Sequence, residues 1–253
     1  MNASRRYTLC VAVLVQCMVA TSDTTATAQA PQDAPVTPAA QPAAGPAPKE
    51  RIAAVKKSFM ESQATLRKYE WNETTVVSMK DEEKSRKVNR CYYGAEGKLQ
   101  KVPVTATPEA KPSRGLRGKI KEKKKEELAD YMEEAAELLH KYLPPDPEKL
   151  QASADAGKVA IAVLEPGKRA RLQFADYLVP GDALSVEIDL TNNTILGVSV
   201  ASYLATEKDA VTLDVKFDKF PDGTIYTAET TLQAKAKNVK VVVENGGYKK
   251  LGG

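Results

Sequence analysis

Residues 183–200 read ALSVEIDLTNNTILGVSV, and this run decides the fold. Leu184, Val186, Ile188 and Leu190 alternate with Ser185, Glu187 and Asp189. Successive strand side chains point to opposite faces, so one face is apolar and the other wet. Thr191-Asn192-Asn193 interrupts the pattern. It resumes with Leu196, Val198, Val200 and Leu204 against Gly197, Ser199, Ala201 and Tyr203. Asparagine tolerates the left-handed backbone of a tight turn, so the run reads as strand, turn and returning strand.

The same grammar extends across 159–251. Ala170, Leu172 and Phe174 oppose Arg169, Arg171 and Gln173, and Val211, Leu213, Val215 and Phe217 oppose Thr212, Asp214, Lys216 and Asp218. Residues 225–234 and 239–243 are rich in Thr, Val and Tyr, which suits half-buried strands. Glu165-Pro166-Gly167-Lys168, Pro180-Gly181-Asp182 and Pro221-Asp222-Gly223 supply further turns. Loops this short join antiparallel neighbours, because parallel strands need long crossovers. The expected architecture is α+β: a long, curved, half-barrel-like antiparallel meander whose apolar face is covered by amphipathic helices.

The helices come from upstream. Residues 49–68 place Ile52, Val55, Phe59, Ala64 and Leu66 on an approximate stripe, and 117–142 repeats Leu128, Tyr131, Met132, Ala135, Leu138, Leu139 and Tyr142 at intervals of three and four. Asp146 as N-cap, Pro147 after it and Gly157 at the far end bracket a short helix over 147–156. Between the first two helices, 69–79, 84–93 and 98–104 read as strands, with Trp71, Thr75 and Val77 on one face and a turn at 81–83. Thr105 to Ser113 reads as a loop.

Before 50 the composition changes. Arg5 and Arg6 precede an apolar run over 7–20 that is short for a membrane span, and Ala26-Thr27-Ala28 is a small-x-small cleavage pattern. Residues 1–28 are therefore expected to be a signal peptide and the protein periplasmic or secreted. Leu14-Val15-Gln16-Cys17 offers a second route, lipidation at Cys17, although Gln16 is large for a lipobox. Residues 29–49, almost all Ala, Pro and Gln, cannot bury enough apolar surface to offset ordering, so they read as a disordered linker. Residues 50–253 form a single α+β domain. Past the leader only Cys91 remains, which excludes an internal disulfide and reads as a small buried hydrophobe.

Chemistry is sparse. His140 is the one histidine, standing near a helix end where a cation suits the dipole, and no Gly-x-Ser-x-Gly or Gly-rich phosphate loop is present. Glu187 and Asp189 share a strand face and are better explained as solvated residues than as an acid–base pair. No catalytic residue, cofactor or metal is expected. A net charge of +4 does not point to nucleic acid, and the aromatics do not interleave with the cations. The one charge anomaly is 111–125, where eight cations face Glu122 alone. Arg114, Arg117 and Lys119 are a candidate anion site at a helix start, set against the simpler reading of a solvated face. An anionic membrane surface is the corresponding partner.

The order of elements, with Tyr177-Leu178-x-Pro180-Gly181-Asp182, Pro221-Asp222-Gly223-Thr224 and Asn245-Gly246-Gly247-Tyr248, resembles the periplasmic lipoprotein-carrier fold of the LolA-like proteins over roughly 51–251. The resemblance implies a curved sheet wrapping helices around a cavity for lipid or lipoprotein acyl chains, and no enzyme activity. The candidate lining is Leu172, Phe174, Val186, Ile188, Val198, Val200, Leu213, Val215 and Phe217. The competing reading is a filled core in a structural or interaction module that contacts another envelope protein through its charged helix or a sheet edge.

Overall fold

The computed structural model describes residues 48–104, 116–143 and 145–251. Its order is α1 (Pro48–Leu66), β1 (Tyr69–Met79), β2 (Glu82–Tyr93), β3 (Leu99–Pro103), α2 (Leu116–His140), α3 (Pro147–Asp155), β4 (Val159–Glu165), β5 (Arg169–Ala175), β6 (Ala183–Asp189), β7 (Thr194–Tyr203), β8 (Ala210–Lys219), β9 (Ile225–Ala234) and β10 (Val239–Lys250). The expected leader over 1–28, nearly all of the linker, Cys17 and the loop after Val104 lie outside the described residues.

All ten strands join one open antiparallel sheet, ordered β3-β2-β1-β10-β9-β8-β7-β6-β5-β4. From β4 to β10 the chain meanders as the turn residues require. Gly167, Gly181 and Gly223 take positive φ at three of those turns, and Asn193 does so at a fourth. The seam is β1 against β10, where Thr75 faces Val243 and Val77 faces Val241. The edges are β3 and β4. Register shifts at five places insert bulges, which bend strands and increase twist.

The core lies between the sheet and two helices. From α2, the buried Met132, Ala135, Ala136 and Leu139 pack on Leu184, Val200, Leu213, Leu232 and Val241. Each fully buried leucine contributes roughly 1.5–3 kcal/mol of transfer free energy. In α1, Phe59 sets its ring edge-on to Phe217 at 5.6 Å, and Ser62 Oγ accepts a hydrogen bond from the Ile225 amide at 2.9 Å. The described sheet-facing positions of α1 are therefore Phe59, Ser62 and Leu66, while Ala64, expected on the stripe, is exposed. A serine serves there because it also caps a strand amide.

Two further local expectations are corrected. The β1–β2 turn is Lys80-Asp81, both at positive φ, and Glu82 and Glu83 belong to β2. A bulge between Glu187 and Ile188 pairs Ile188 with Ile195, so Ile195 rather than Leu196 shares the core face with Val198. His140 is half-buried, and burial pushes its pKa below the ordinary imidazole value despite the opposing pull of Glu137. Burial thus opposes the cation that would complement the helix dipole.

Candidate functional site

Strand pairing lays the helix-side face out in rows. One row runs Val159, Phe174, Leu184, Val200, Leu213, Leu232, Val241, Val77. The next runs Ile161, Leu172, Val186, Val198, Val215, Thr230, Val243, Thr75. A third begins Val163, Ala170, Ile188, Ile195. The strands put these residues on one face by parity alone; the helices decide which of them meet water.

The nine candidate lining residues divide accordingly. Phe174, Val198, Val200, Leu213, Val215 and Phe217 are buried in the packed core. Leu172, Val186 and Ile188 are half-buried. Beyond them Ile161 and Val163 are 68% and 63% exposed. α3 packs against β5 and its Leu150 joins the core, so the first row is closed over Phe174. The second and third rows emerge from beneath the helices as an open apolar strip across β4, β5 and β6. At about 4.8 Å per strand it is roughly 10 Å wide. Sequence reasoning reached three of its five large residues. The missing two sit in 159–164, an apolar run whose exposure depends on where the helices end.

The far end of the same face is polar. Glu73, buried on β1, accepts hydrogen bonds from Lys101 of β3 and Asn89 of β2, so its charge is paired. Beside it the fully buried Cys91 has its thiol pKa pushed up to about 12, first by burial and then by Glu73. Such a thiol is unreactive. Trp71 Nε1 donates to Asn245 Oδ1 at 3.1 Å. Rings continue outward from it: Tyr248 stacks on Trp71 at 5.7 Å, and Tyr226 and Phe220 meet Tyr248 at 4.7 and 5.1 Å. This cluster closes the end of the sheet.

A second polar group lies where α2 ends. Buried Asp182 accepts the amides of Tyr177, Leu178 and Val179 at 2.5, 2.9 and 2.9 Å, and the hydroxyl of Tyr142 at 2.5 Å. Tyr142 Oη also lies 2.7 Å from Ser202 Oγ. Every partner is structural, so Asp182 ties the β5–β6 loop to the chain after α2 and to β7. On the outer face Glu187 holds Arg169 and Arg171, and Asp189 accepts the Thr191 and Asn192 amides. Neither carboxylate is free for acid–base work. Among the described residues no group of three or more His, Cys, Asp or Glu is placed to hold a metal ion. Of the candidate anion site, Arg114 lies outside the described residues. Arg117 and Lys119 occupy the first turns of α2, and their side chains lie outside the described set too.

No protein-family model matches the sequence, and no curated protein does. Among solved structures, a LolA superfamily protein from Nitrosomonas europaea is similar, at 11% identity and a TM-score of 0.33, covering 78% of this chain and 93% of that one. A DUF1329 family protein from Desulfovibrio piger is similar at 8% identity and a TM-score of 0.34, covering 81% and 93%.

Proposed function

We propose that this chain is an exported envelope protein that binds the hydrocarbon part of a lipid on the open strip, without catalysing a reaction. The observation that carries this reading is the continuity of one apolar row from a closed core at Val198 to solvent at Ile161. From Val198 to Ile161 the row is aliphatic and, among the described residues, progressively uncovered, and such a surface offers the nondirectional contact that suits an acyl chain. The buried part of the row makes the floor rigid, so a ligand would not have to order it. Removal of residues 1–28 and lodging of the mature chain in the envelope belong to the same proposal. Mass spectrometry of the exported protein should find Gln29 as its N-terminus. Arg114, Arg117 and Lys119 are the proposed contact with an anionic membrane surface, and replacing all three by Gln should remove any preference for anionic over neutral vesicles.

Titration with a fluorescent fatty acid tests the strip. Val186→Glu and Ile188→Glu place a charge among the aliphatic residues and should weaken uptake about tenfold or more, since each 1.4 kcal/mol of lost affinity is tenfold. Lys216→Gln on the outer face should leave it unchanged. Preparations free of co-purified lipid, together with a parent protein that takes up no probe, would sink the reading. A structural or interaction module remains the second reading, favoured by the packed core beneath α2.

A further inference from the structure

The two edges of the sheet are built differently. β3 carries Lys101 and Pro103, the kind of residues that discourage further strand pairing. β4 is protected only at its end, by Glu165 and the bulge before it; Val159, Ala160, Ile161, Ala162 and Val163 contain no charge, proline or glycine. Its backbone is also oriented for pairing. The Ala175 amide donates to Lys158 O, so Ala160 and Ala162 also turn toward β5, up to the bulge after Val163. One strand further, Leu190 N donates to Lys168 O, which fits the same alternation on the other side of β5. The amides and carbonyls of Val159, Ile161 and Val163 therefore point off the sheet.

The geometry points to a second copy of this chain as the occupant of that edge, paired antiparallel through β4 about a two-fold axis at Ala162. The strand reads nearly the same from either end about this axis. Ile161 meets the second copy's Val163 and Ala162 meets its own counterpart, and the bulge after Val163 ends the regular contact on each side. Between Ile161 and Val163 every facing pair is apolar and no like charges meet; Glu165, already paired with Lys168 at 2.8 Å, stands at the end of the contact opposite Val159. The outward-pointing Ile161 and Val163 become the hydrogen-bonded pairs, and a two-fold axis normal to the sheet keeps each residue's face. The exposed ends of two apolar strips then meet, and Ile161 and Val163 of each copy complete the other's strip. Residues 29–47 have Pro31, Pro35, Pro38, Pro42 and Pro46, and residues 105–115 have Pro108 and Pro112, so neither segment supplies the unbroken amides a ladder needs. One shared edge is a small contact, so the expected dimer is reversible and concentration-dependent.

The pairing does not rest on acyl binding, and sedimentation of the purified protein without lipid reads it directly. The parent should show a monomer–dimer equilibrium. Ala162→Lys puts two ammonium groups on the axis, on the outer face and away from the strip, and should raise the dimer Kd about tenfold or more. Ala162→Glu should do the same, and an equimolar mixture of the two variants should recover the dimer. A parent that stays monomeric, or that grows into larger species without a dimer, overturns the proposal. So does an Ala162→Lys variant that dimerises like the parent, or a mixture that stays monomeric. Fatty-acid uptake by Ala162→Lys is scored separately, so losing the dimer and losing the strip are distinguishable outcomes.

Discussion

Thr75 and Thr230 flank Val243 on the helix-side face, both buried, and neither hydroxyl has a hydrogen-bond partner among the described residues. A buried hydroxyl left unpaired costs free energy that a methyl of the same shape does not. Thr230→Val should therefore stabilise the protein by about 1 kcal/mol, and Thr75→Val should act in the same direction. Urea denaturation of each variant measures this, and a clear loss of stability would mean that a polar partner occupies the site in solution. Cys91 makes the opposite kind of residue-scale statement. With its thiol pushed up to about 12 it should resist alkylation at pH 8.5 in the native protein and react freely in denaturant. Mass spectrometry of alkylated samples checks this. Cysteine burial was legible in the sequence, because a lone strand cysteine is usually core. The acceptability of buried Glu73 was not. Alternation placed it on the core face between Trp71 and Thr75, but the lysine that neutralises it stands on β3, and nothing local announces that pairing.

At the scale of elements, two devices hold the meander to its helices and its turns. Asp182 gathers three amides and the Tyr142 hydroxyl, so Tyr142→Phe should cost about 1–2 kcal/mol and Asp182→Ala about 3 kcal/mol, the amides then being buried without an acceptor. Circular dichroism melts on the two variants test the order. The second device is Glu187, clasped by Arg169 and Arg171 across the β5–β6 ladder. Burial alone would raise its pKa, but the hydrogen bonds and charges of both arginines outweigh this and hold it below the ordinary glutamate value. A depressed carboxylate stabilises the folded state above its unfolded pKa, about 4.3, and loses that contribution as pH falls through the lower folded value. Glu187→Gln should therefore flatten the acid limb of stability below about pH 4.3, and an unchanged limb would remove Glu187 from the account. The strands and turns of this half were legible because alternation, Gly, Pro and Asn are local signals. The bulge that swaps Ile195 for Leu196 was not, since a one-residue slip is fixed by the neighbouring strand. The β1–β2 turn fell one residue late in the sequence pattern, at 81–83, because Lys80 does not advertise positive φ.

At the scale of the molecule, the seam decides whether the chain is one cooperative unit. Among the described strands, β1, β2 and β3 form a hairpin ladder that joins the rest of the sheet through β10 alone, so residues 69–103 must wait for residues 239–250. No pattern in the sequence revealed this pairing: ladder partners separated by most of the domain leave no periodicity, and the meander alone would have been satisfied with β10 as an edge. Its consequences are measurable because the single tryptophan, Trp71, sits at the seam, bonded to Asn245 and stacked on Tyr248 of β10. If the sheet is continuous in stability as well as in hydrogen bonding, Trp71 fluorescence and far-UV circular dichroism should give coincident urea transitions. If β1 to β3 were held only loosely, the fluorescence transition would come first. The same seam should make refolding slow for the protein's size, since contacts this distant in sequence must be closed before they stabilise anything. Deleting 239–253 removes the partner of β1 and the ceiling of the Trp71 ring together. The shortened chain should lose the native tryptophan signal entirely, whereas a β1–β3 ladder able to stand alone would keep it.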